Sequence, residues 1–177
     1  MLASLFLIGA TFATPQMSVQ AASQMIVEDG AGGMTGAVNR MIGGIISYVT
    51  WPDRAQATPL TLCRIGTPRL AENIAPAVPG IPSVTVRRTT ASDAIAKGDC
   101  DILFLGRMPV ADRSRLIEWV HRRAVLTLTD DDPSCLYGAM FCLAGGSARL
   151  SFAVNLDAIA RGPLRVDPRV LKIGAAP

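Results

Sequence analysis

The chain has 177 residues, a formal net charge of +3 and a hydrophobic content of 50%. A chain of this length and composition can bury a substantial core, which excludes a disordered protein and favours one domain of ordinary size. Its basic residues are scattered, with doublets at Arg87-Arg88 and Arg122-Arg123. We therefore predict no nucleic-acid partner, because nucleic-acid binding requires a clustered basic face.

Residues 1–21 are predicted to be a secretory signal peptide. The first 27 residues carry no charged side chain, and they open with the apolar run LASLFLIGATFA. This run is shorter than the roughly 20 residues of a membrane span, and small residues at Val19 and Ala21 fit a cleavage after Ala21. The basic residues that usually precede the apolar run are missing, and an uncleaved interfacial anchor is the alternative. We predict export to the periplasm.

The mature chain is predicted to begin with a flexible segment, residues 22–35, followed by one domain, residues 36–177. The flexible segment includes most of the glycine-rich stretch EDGAGGMTG. A first helix follows, in which apolar residues recur at helical spacing: Val38, Met41, Ile42, Ile45 and Val49. It is expected to stop at Trp51-Pro52, and Gly43-Gly44 in its middle indicate close packing on a neighbour.

The rest of the chain alternates between strand and helix patterns. In chain order the predicted elements are a strand at 60–66, a helix from 67 that ends before Pro76, a strand at 83–88, a helix at 91–97, a strand at 101–106, a helix at 112–120, a strand at 124–129, and a hairpin of strands at 139–144 and 148–155. This alternation predicts a single α/β domain with a mixed sheet flanked by helices, parallel in its N-terminal part and antiparallel in its C-terminal hairpin.

Four cysteines are expected to form two disulfides if the chain is exported. Three connectivities exist for four cysteines. Pairing Cys63 with Cys100 and Cys135 with Cys142 is the simplest, because the first two lie beside apolar strand patterns and the other two flank a Leu-Tyr-Gly turn.

No pattern in the sequence indicates an enzyme. The one histidine, His121, follows an amphipathic helix, where a cation suits the helix dipole. The run Asp130-Asp131-Asp132 lacks the spacing of a calcium loop and is predicted to be a solvated turn. Phosphate-loop and zinc-site spacings are also missing. We predict no catalytic residue, no metal and no cofactor.

Several short motifs occur in a characteristic order: YVTWP at 48–52, LCRIG at 62–66, CDILFLG at 100–106, LSFAVNL at 150–156 and GPL at 162–164. In this order and spacing the chain, from about Val38 to Ile173, resembles the YfiR-like family of periplasmic regulatory proteins. The resemblance implies one long-range and one short-range disulfide, which would fall on Cys63 with Cys100 and on Cys135 with Cys142.

The resemblance also implies a function. Such a protein would bind the periplasmic sensor domain of an inner-membrane diguanylate cyclase and repress it, lowering cyclic di-GMP signalling and biofilm formation, with disulfide state as a modulator. It is also compatible with a homodimer, the commonest assembly of soluble proteins. The alternative is a periplasmic small-ligand-binding module that acts on another membrane sensor such as a histidine kinase, with Trp51 and Trp119 lining its pocket.

Three residues near the C-terminal hairpin are predicted to contribute to the docking surface for the cyclase: Phe141, Ala153 and Ile159. If Cys142 points toward Cys135, strand alternation directs Phe141 to the opposite face of the sheet. Ala153 on the adjacent strand and Ile159 on the following segment would extend the same surface. The alternative is that Phe141 and Ile159 belong to the core.

Overall fold

The computed structural model describes residues 19–26, 32–52, 54, 58–78, 80, 83–146 and 149–173, and for 19–26 it describes the backbone. The helices are α1 (Gly33–Ser47), α2 (Ala91–Lys97), α3 (Val110–Val120) and α4 (Leu156–Ala160). The strands are β1 (Val19–Ile26), β2 (Val49–Thr50), β3 (Leu60–Ile65), β4 (Val84–Arg88), β5 (Ile102–Leu105), β6 (Leu126–Thr129), β7 (Phe141–Gly145), β8 (Arg149–Asn155) and β9 (Arg165–Val166). A 3-10 turn, Pro168–Lys172, follows them.

Seven of these strands form one mixed sheet in the order β1-β8-β7-β6-β5-β3-β4. The pairs from β4 through β3, β5 and β6 to β7 are parallel, whereas β7 with β8 and β8 with β1 are antiparallel. Strands β2 and β9 form a separate antiparallel ribbon. The predicted α/β domain, with a parallel part and an antiparallel C-terminal hairpin, is confirmed.

The sheet is covered on both faces. Helix α1 and the segment 71–78 pack on one face and form the main core, whereas α2 and α3 pack on the other face. All four residues of β5 and all four of β6 are buried, which explains why these strands are apolar or uncharged along their whole length. Trp51 belongs to the main core and Trp119 packs on the opposite face, so the two tryptophans do not line one pocket.

The glycine pair of α1 marks a close approach, as predicted from the sequence. A Cβ atom at Gly43 would overlap the backbone carbonyl oxygen of Ala77, whereas one at Gly44 would meet the flexible side chain of Ile173 at 3.3 Å. Gly43 therefore allows the segment 71–78 to lie directly on the helix.

The helix predicted between Thr67 and Pro76 does not form. The N–H groups of Glu72 and Ala75, which a helix starting at Pro68 would use internally, donate instead to Thr35 and Asn39 of α1. Asp130 accepts the N–H groups of Arg69 and Leu70 just before them. The segment instead buries Ala71, Ile74 and Val78 in an irregular conformation. Tertiary hydrogen bonds here override a local helix pattern.

The N-terminal part differs from the prediction in two places. Residues 19–26 form β1 on the edge of β8, so the segment 22–35 is not uniformly flexible, and α1 already begins at Gly33. An exposed strand edge offers unpaired N–H and C=O groups, which explains the pairing of β1 with β8. Strand β1 crosses the predicted cleavage point between Ala21 and Ala22, and most of the predicted signal peptide lies outside the described residues.

No helix in the described part of the chain is long and apolar enough to cross a bilayer.

Candidate functional site

Two disulfides connect the elements of the domain. Cys63 of β3 is joined to Cys100 just before β5, with Cα atoms 5.8 Å apart, on the face covered by α2 and α3. Cys135 is joined to Cys142 of β7, with Cα atoms 5.4 Å apart. These are the pairs that the sequence predicted, and all four cysteines are buried.

The short disulfide fixes an exposed loop, Leu136–Gly138, which we call the stapled loop. Cys135 has φ of 54° and Gly138 has φ of 90°, and the first value is unfavourable for a residue with a side chain. The strained turn persists because other bonds define it: the Tyr137 N–H donates to Asp132 Oδ2 at 2.6 Å, and the Cys135 N–H donates to the Asp132 carbonyl at 3.0 Å.

The stapled loop presents two large apolar side chains to solvent. Leu136 is 57% exposed and Tyr137 is 63% exposed. The guanidinium of Arg113, on α3, lies 5.5 Å from the centre of the Tyr137 ring, which is within the range of a cation–π contact. Tyr137 is therefore an exposed aromatic side chain in a defined position.

A groove separates the stapled loop from the first turns of α3. Its volume is about 480 Å³, and its lining residues are Met108, Val110, Arg113, Ser114, Asp131, Leu136, Tyr137 and Gly138. We call it the α3 groove. Val110, at its edge, is 79% exposed. The stapled loop and the start of α3 thus form a continuous exposed apolar surface, a feature that marks interaction sites in soluble proteins.

Three consecutive aspartates lie next to this groove, and Asp131 lines it. Asp130 accepts the N–H groups of Arg69 and Leu70 at 2.6 and 2.9 Å, and Asp132 accepts that of Tyr137. Asp131 binds Arg113 at 2.8 Å, and Arg69 lies 3.7 Å from its other oxygen. Asp130 and Asp132 are each 2% exposed, so the prediction of a solvated turn is wrong. In the folded protein, backbone N–H groups and arginine side chains take the place of water around these carboxylates.

Asp130 has an unusual environment for a carboxylate. Its Oδ1 is buried and has no hydrogen-bond partner among the described residues. Burial raises the pKa of Asp130, and this effect outweighs the two backbone N–H donors, which lower the pKa. The charged form of Asp130 is therefore disfavoured in the folded protein.

The predicted docking residues do not lie on one surface. Phe141 is completely buried and packs in the main core, so its assignment to the docking surface is wrong. The reason is that the covered face of the sheet receives Phe141, while Cys142 points to the other face beside Cys135 and Ala139. Ile159 is half-buried against the same core as Phe141, whereas Ala153 is half-buried against the Cys135–Cys142 cluster.

The sequence contained a signal for the exposed loop. Leu136 and Tyr137 lie between two cysteines and directly before Gly138, and apolar side chains in so short a bridged turn have little room to reach a core. Leu136 and Tyr137 are the residues that this signal would have selected.

The crevice where ligands bind in many α/β sheets is closed here. In such sheets the ligand lies at the carboxyl ends of the strands, where the strand order reverses, which in this sheet is between β3 and β5. Thr67 and Arg107 fill that position with a backbone bridge whose N–H···O distances are 3.0 and 2.7 Å. Gly66 and Gly106 allow it, since a Cβ atom at either position would come within 2.5 Å of the opposite backbone.

His121 lies at the C-terminus of α3, with Nδ1 3.4 Å from Glu118 Oε2. It stands at the end of a helix, as predicted. The domain is thus a disulfide-linked α/β scaffold with an exposed apolar groove.

The family of the chain agrees with this description. Residues 36–175 match the model of the YfiR/HmsC-like family, so the chain belongs to that family. Membership implies a periplasmic regulator of diguanylate cyclase signalling, and the members are regulators rather than enzymes. Two disulfides fit the oxidising compartment in which such proteins act.

Proposed function

We propose that this protein binds the periplasmic sensor domain of an inner-membrane diguanylate cyclase and represses the enzyme, so that cyclic di-GMP levels and biofilm formation fall. The observation that carries the proposal is the family match over residues 36–175. The proposed site of action is the periplasm, reached by means of an N-terminal signal peptide.

The structure supports a role in protein binding. The exposed side chains at the α3 groove are apolar and are held by a disulfide, a cation–π contact and an Asp132 hydrogen bond. Preorganised apolar side chains bind a partner without a large loss of conformational entropy. Repression by this route requires no catalytic group.

Disulfide state is proposed to modulate the repressor. Reduction of Cys135–Cys142 would remove the covalent closure of the stapled loop, while the main core on the other face of the sheet stays packed. Reduction of Cys63–Cys100 would instead release the connection between β3 and the start of β5. The short disulfide is therefore the better candidate for a modulator of binding.

Deletion of the gene tests the proposal. The deletion strain should contain more cyclic di-GMP and form more biofilm, and both should return to the starting level when the wild-type gene is restored. A second deletion, made in turn in each gene for a membrane diguanylate cyclase with a periplasmic domain, should abolish the increase for the repressed enzyme. An unchanged cyclic di-GMP level after the first deletion would reject the proposal.

A small-ligand-binding module acting on another membrane sensor, such as a histidine kinase, is the second candidate. The volume of the α3 groove, about 480 Å³, is large enough for a small molecule. The closed crevice between β3 and β5 favours protein binding, because it removes the usual ligand position of such a sheet. A thermal-shift screen with amino acids and cell-wall fragments distinguishes the two, since a ligand of the groove should raise the melting temperature.

A further inference from the structure

We infer that the α3 groove is the surface on which the protein binds its membrane partner, and that the segment it receives is apolar and carries a carboxylate. The identity of the partner, the periplasmic domain of a diguanylate cyclase, rests on the proposed function. The position of the site is inferred from the exposed side chains of the groove and the rigidity of the stapled loop. The chemistry of the segment is inferred from the charges beside the groove.

Three apolar side chains at the α3 groove are exposed to solvent. Val110, Leu136 and Tyr137 are 79%, 57% and 63% exposed, and they lie together around one groove. Leu156 of α4 is less exposed, at 39%, and does not line this groove. Water contact at three large apolar side chains is unfavourable for a monomer, and covering them would provide the apolar centre that stable interfaces contain.

The stapled loop is held in a defined conformation. A solvent-exposed loop with no binding role does not need a left-handed cysteine, a disulfide and a carboxylate to define its shape. Here all three act on the stapled loop, through Cys135, Cys142 and Asp132. Tyrosine is also a common energetic centre of protein interfaces, because its ring provides a large contact area with few rotatable bonds.

The charged side chains around the α3 groove indicate the chemistry of the partner segment. Most charged side chains around the groove have partners: Arg113 and Arg69 contact Asp131, and Arg115 contacts Asp112. Arg107 is exposed, directly precedes Met108 of the groove, and has no carboxylate partner among the described residues. Arg107 lies beside the groove and not in its lining, where the two charged residues, Arg113 and Asp131, pair with each other. The unmatched charge at the margin of the groove is therefore positive.

The start of α3 lies next to Arg107. Its N-cap, Pro109, provides no side-chain acceptor, but its first turn carries Asp112, which pairs with Arg115. The helix terminus is therefore already matched by a negative group. A carboxylate on the incoming segment would pair with Arg107 while its apolar neighbours cover Val110 and Tyr137.

A second copy of this chain fits the groove less well. In a symmetric pair the other copy would bring the same unmatched Arg107, and the described carboxylates beside the groove, Asp112 and Asp131, are already paired, so Arg107 would gain no partner. An acidic and apolar segment of another protein would provide one.

The experiment measures binding of the purified periplasmic domain of the cyclase identified by the double-deletion test above. Tyr137→Ser and Val110→Ser remove apolar side chains of the groove, and Leu156→Ser is the matched control on α4. Arg107→Glu reverses the unmatched charge, and Arg40→Glu, on an exposed position of α1, is its control. Circular dichroism and the melting temperature of each variant check that it is folded.

We expect Tyr137→Ser to raise the Kd at least about 30-fold, the effect of an interface hot spot, and Val110→Ser to raise it less. Arg107→Glu should raise the Kd about 10-fold and reduce its dependence on salt, whereas both controls should bind as the wild type does. If Tyr137→Ser is unfolded, Val110→Ser provides the test, because its side chain is almost fully exposed.

Three results would overturn the inference. If the wild type binds and the groove variants bind equally well, the proposed function stands and the docking surface lies elsewhere. If the variants change a dimer into a monomer without affecting cyclase binding, the groove is a self-association surface. If the wild type binds no cyclase domain, the proposed function and this inference both fail.

Discussion

The ring of Phe141 packs against the ring of Phe152, with centroids 6.0 Å apart and planes inclined by 50°. The two residues are diagonal neighbours on β7 and β8, where Phe141 is opposite Val154 and Phe152 is opposite Leu143, and both are buried in the main core. The pair connects the antiparallel hairpin to the core beneath α1, and its packing decides what a substitution at Phe141 would do.

We expect Phe141→Ser to destabilise the domain by about 3–5 kcal/mol, the range for removing a buried aromatic side chain. Phe141→Leu, which keeps most of the apolar volume, should lose less. Denaturant unfolding of the purified protein measures both. A folded Phe141→Ser protein with wild-type stability would show that the ring is not a core residue.

The two disulfides should differ in their effect on stability. Replacing Cys63 and Cys100 by alanine opens a loop with a sequence separation of 37, and replacing Cys135 and Cys142 opens one of 7. Loop-closure entropy predicts losses of about 4 and about 2.5 kcal/mol at 25 °C, respectively. Unfolding free energies of the two double variants test this order, and equal losses would contradict it.

Gly43 and Gly44 should respond in opposite ways to alanine. Gly43→Ala places a methyl group against the Ala77 carbonyl, so we expect a loss of about 1–3 kcal/mol as the 71–78 segment is displaced. Gly44→Ala meets only the movable Ile173 side chain and gains up to about 1 kcal/mol of helix propensity. Melting temperatures of the two variants, measured side by side, provide the comparison. Similar losses at both positions would rule out the close contact as the cause.

Asp130 should give stability a distinctive dependence on pH. Its pKa is raised in the folded protein, so folding binds a proton at pH values where the unfolded chain has already released it. The stabilising contribution is complete below the unfolded pKa of about 3.9 and is lost as pH rises through the raised folded pKa. Asp130→Asn cannot titrate at this position, and its amide oxygen can still accept the N–H groups of Arg69 and Leu70.

The stability of Asp130→Asn relative to wild type should therefore increase between pH 4 and 7. Unfolding free energies of the two proteins across this range give the difference directly, and the contributions of other titrating groups cancel. A difference that stays constant with pH would show that Asp130 titrates as it does in the unfolded chain.

Asp132 should control the order of the stapled loop. Asp132→Ala removes the acceptor of the Tyr137 N–H, so the Tyr137 amide should exchange with solvent faster and stability should fall by about 1–2 kcal/mol. Asp132→Asn keeps an oxygen acceptor and serves as the control. Hydrogen exchange followed by NMR measures the Tyr137 amide, and unchanged protection in Asp132→Ala would refute the assignment.

Much of the fold was accessible from the sequence because local patterns and tertiary packing agree there. The limits predicted for α2 match the structure, since Thr90 accepts the Asp93 N–H at its start and Gly98, with φ of 63°, ends it. The strand patterns at β3, β5 and β6 were recognisable because parallel strands are buried on both faces.

The failures occurred where a distant residue determines the local structure. The segment after Thr67 has a helix pattern, yet Thr35 and Asn39 of α1 bind its backbone N–H groups from 37 and 36 residues away. A run of three aspartates before a proline is typical of solvent-exposed turns, and nothing near it in the chain indicates that two of them are buried. The docking surface was misplaced for the same reason: burial of Phe141 depends on Phe152 and α1.

Residues 130–132 follow each other directly, and together their carboxylates bind three parts of the chain: the segment after β3, helix α3 and the stapled loop. The spacing of these three contacts is therefore fixed to a single residue. Insertion or deletion of one amino acid within this run would move carboxylates away from these partners and weaken several contacts together. This turn must therefore keep its length for the domain to present the same face to a partner.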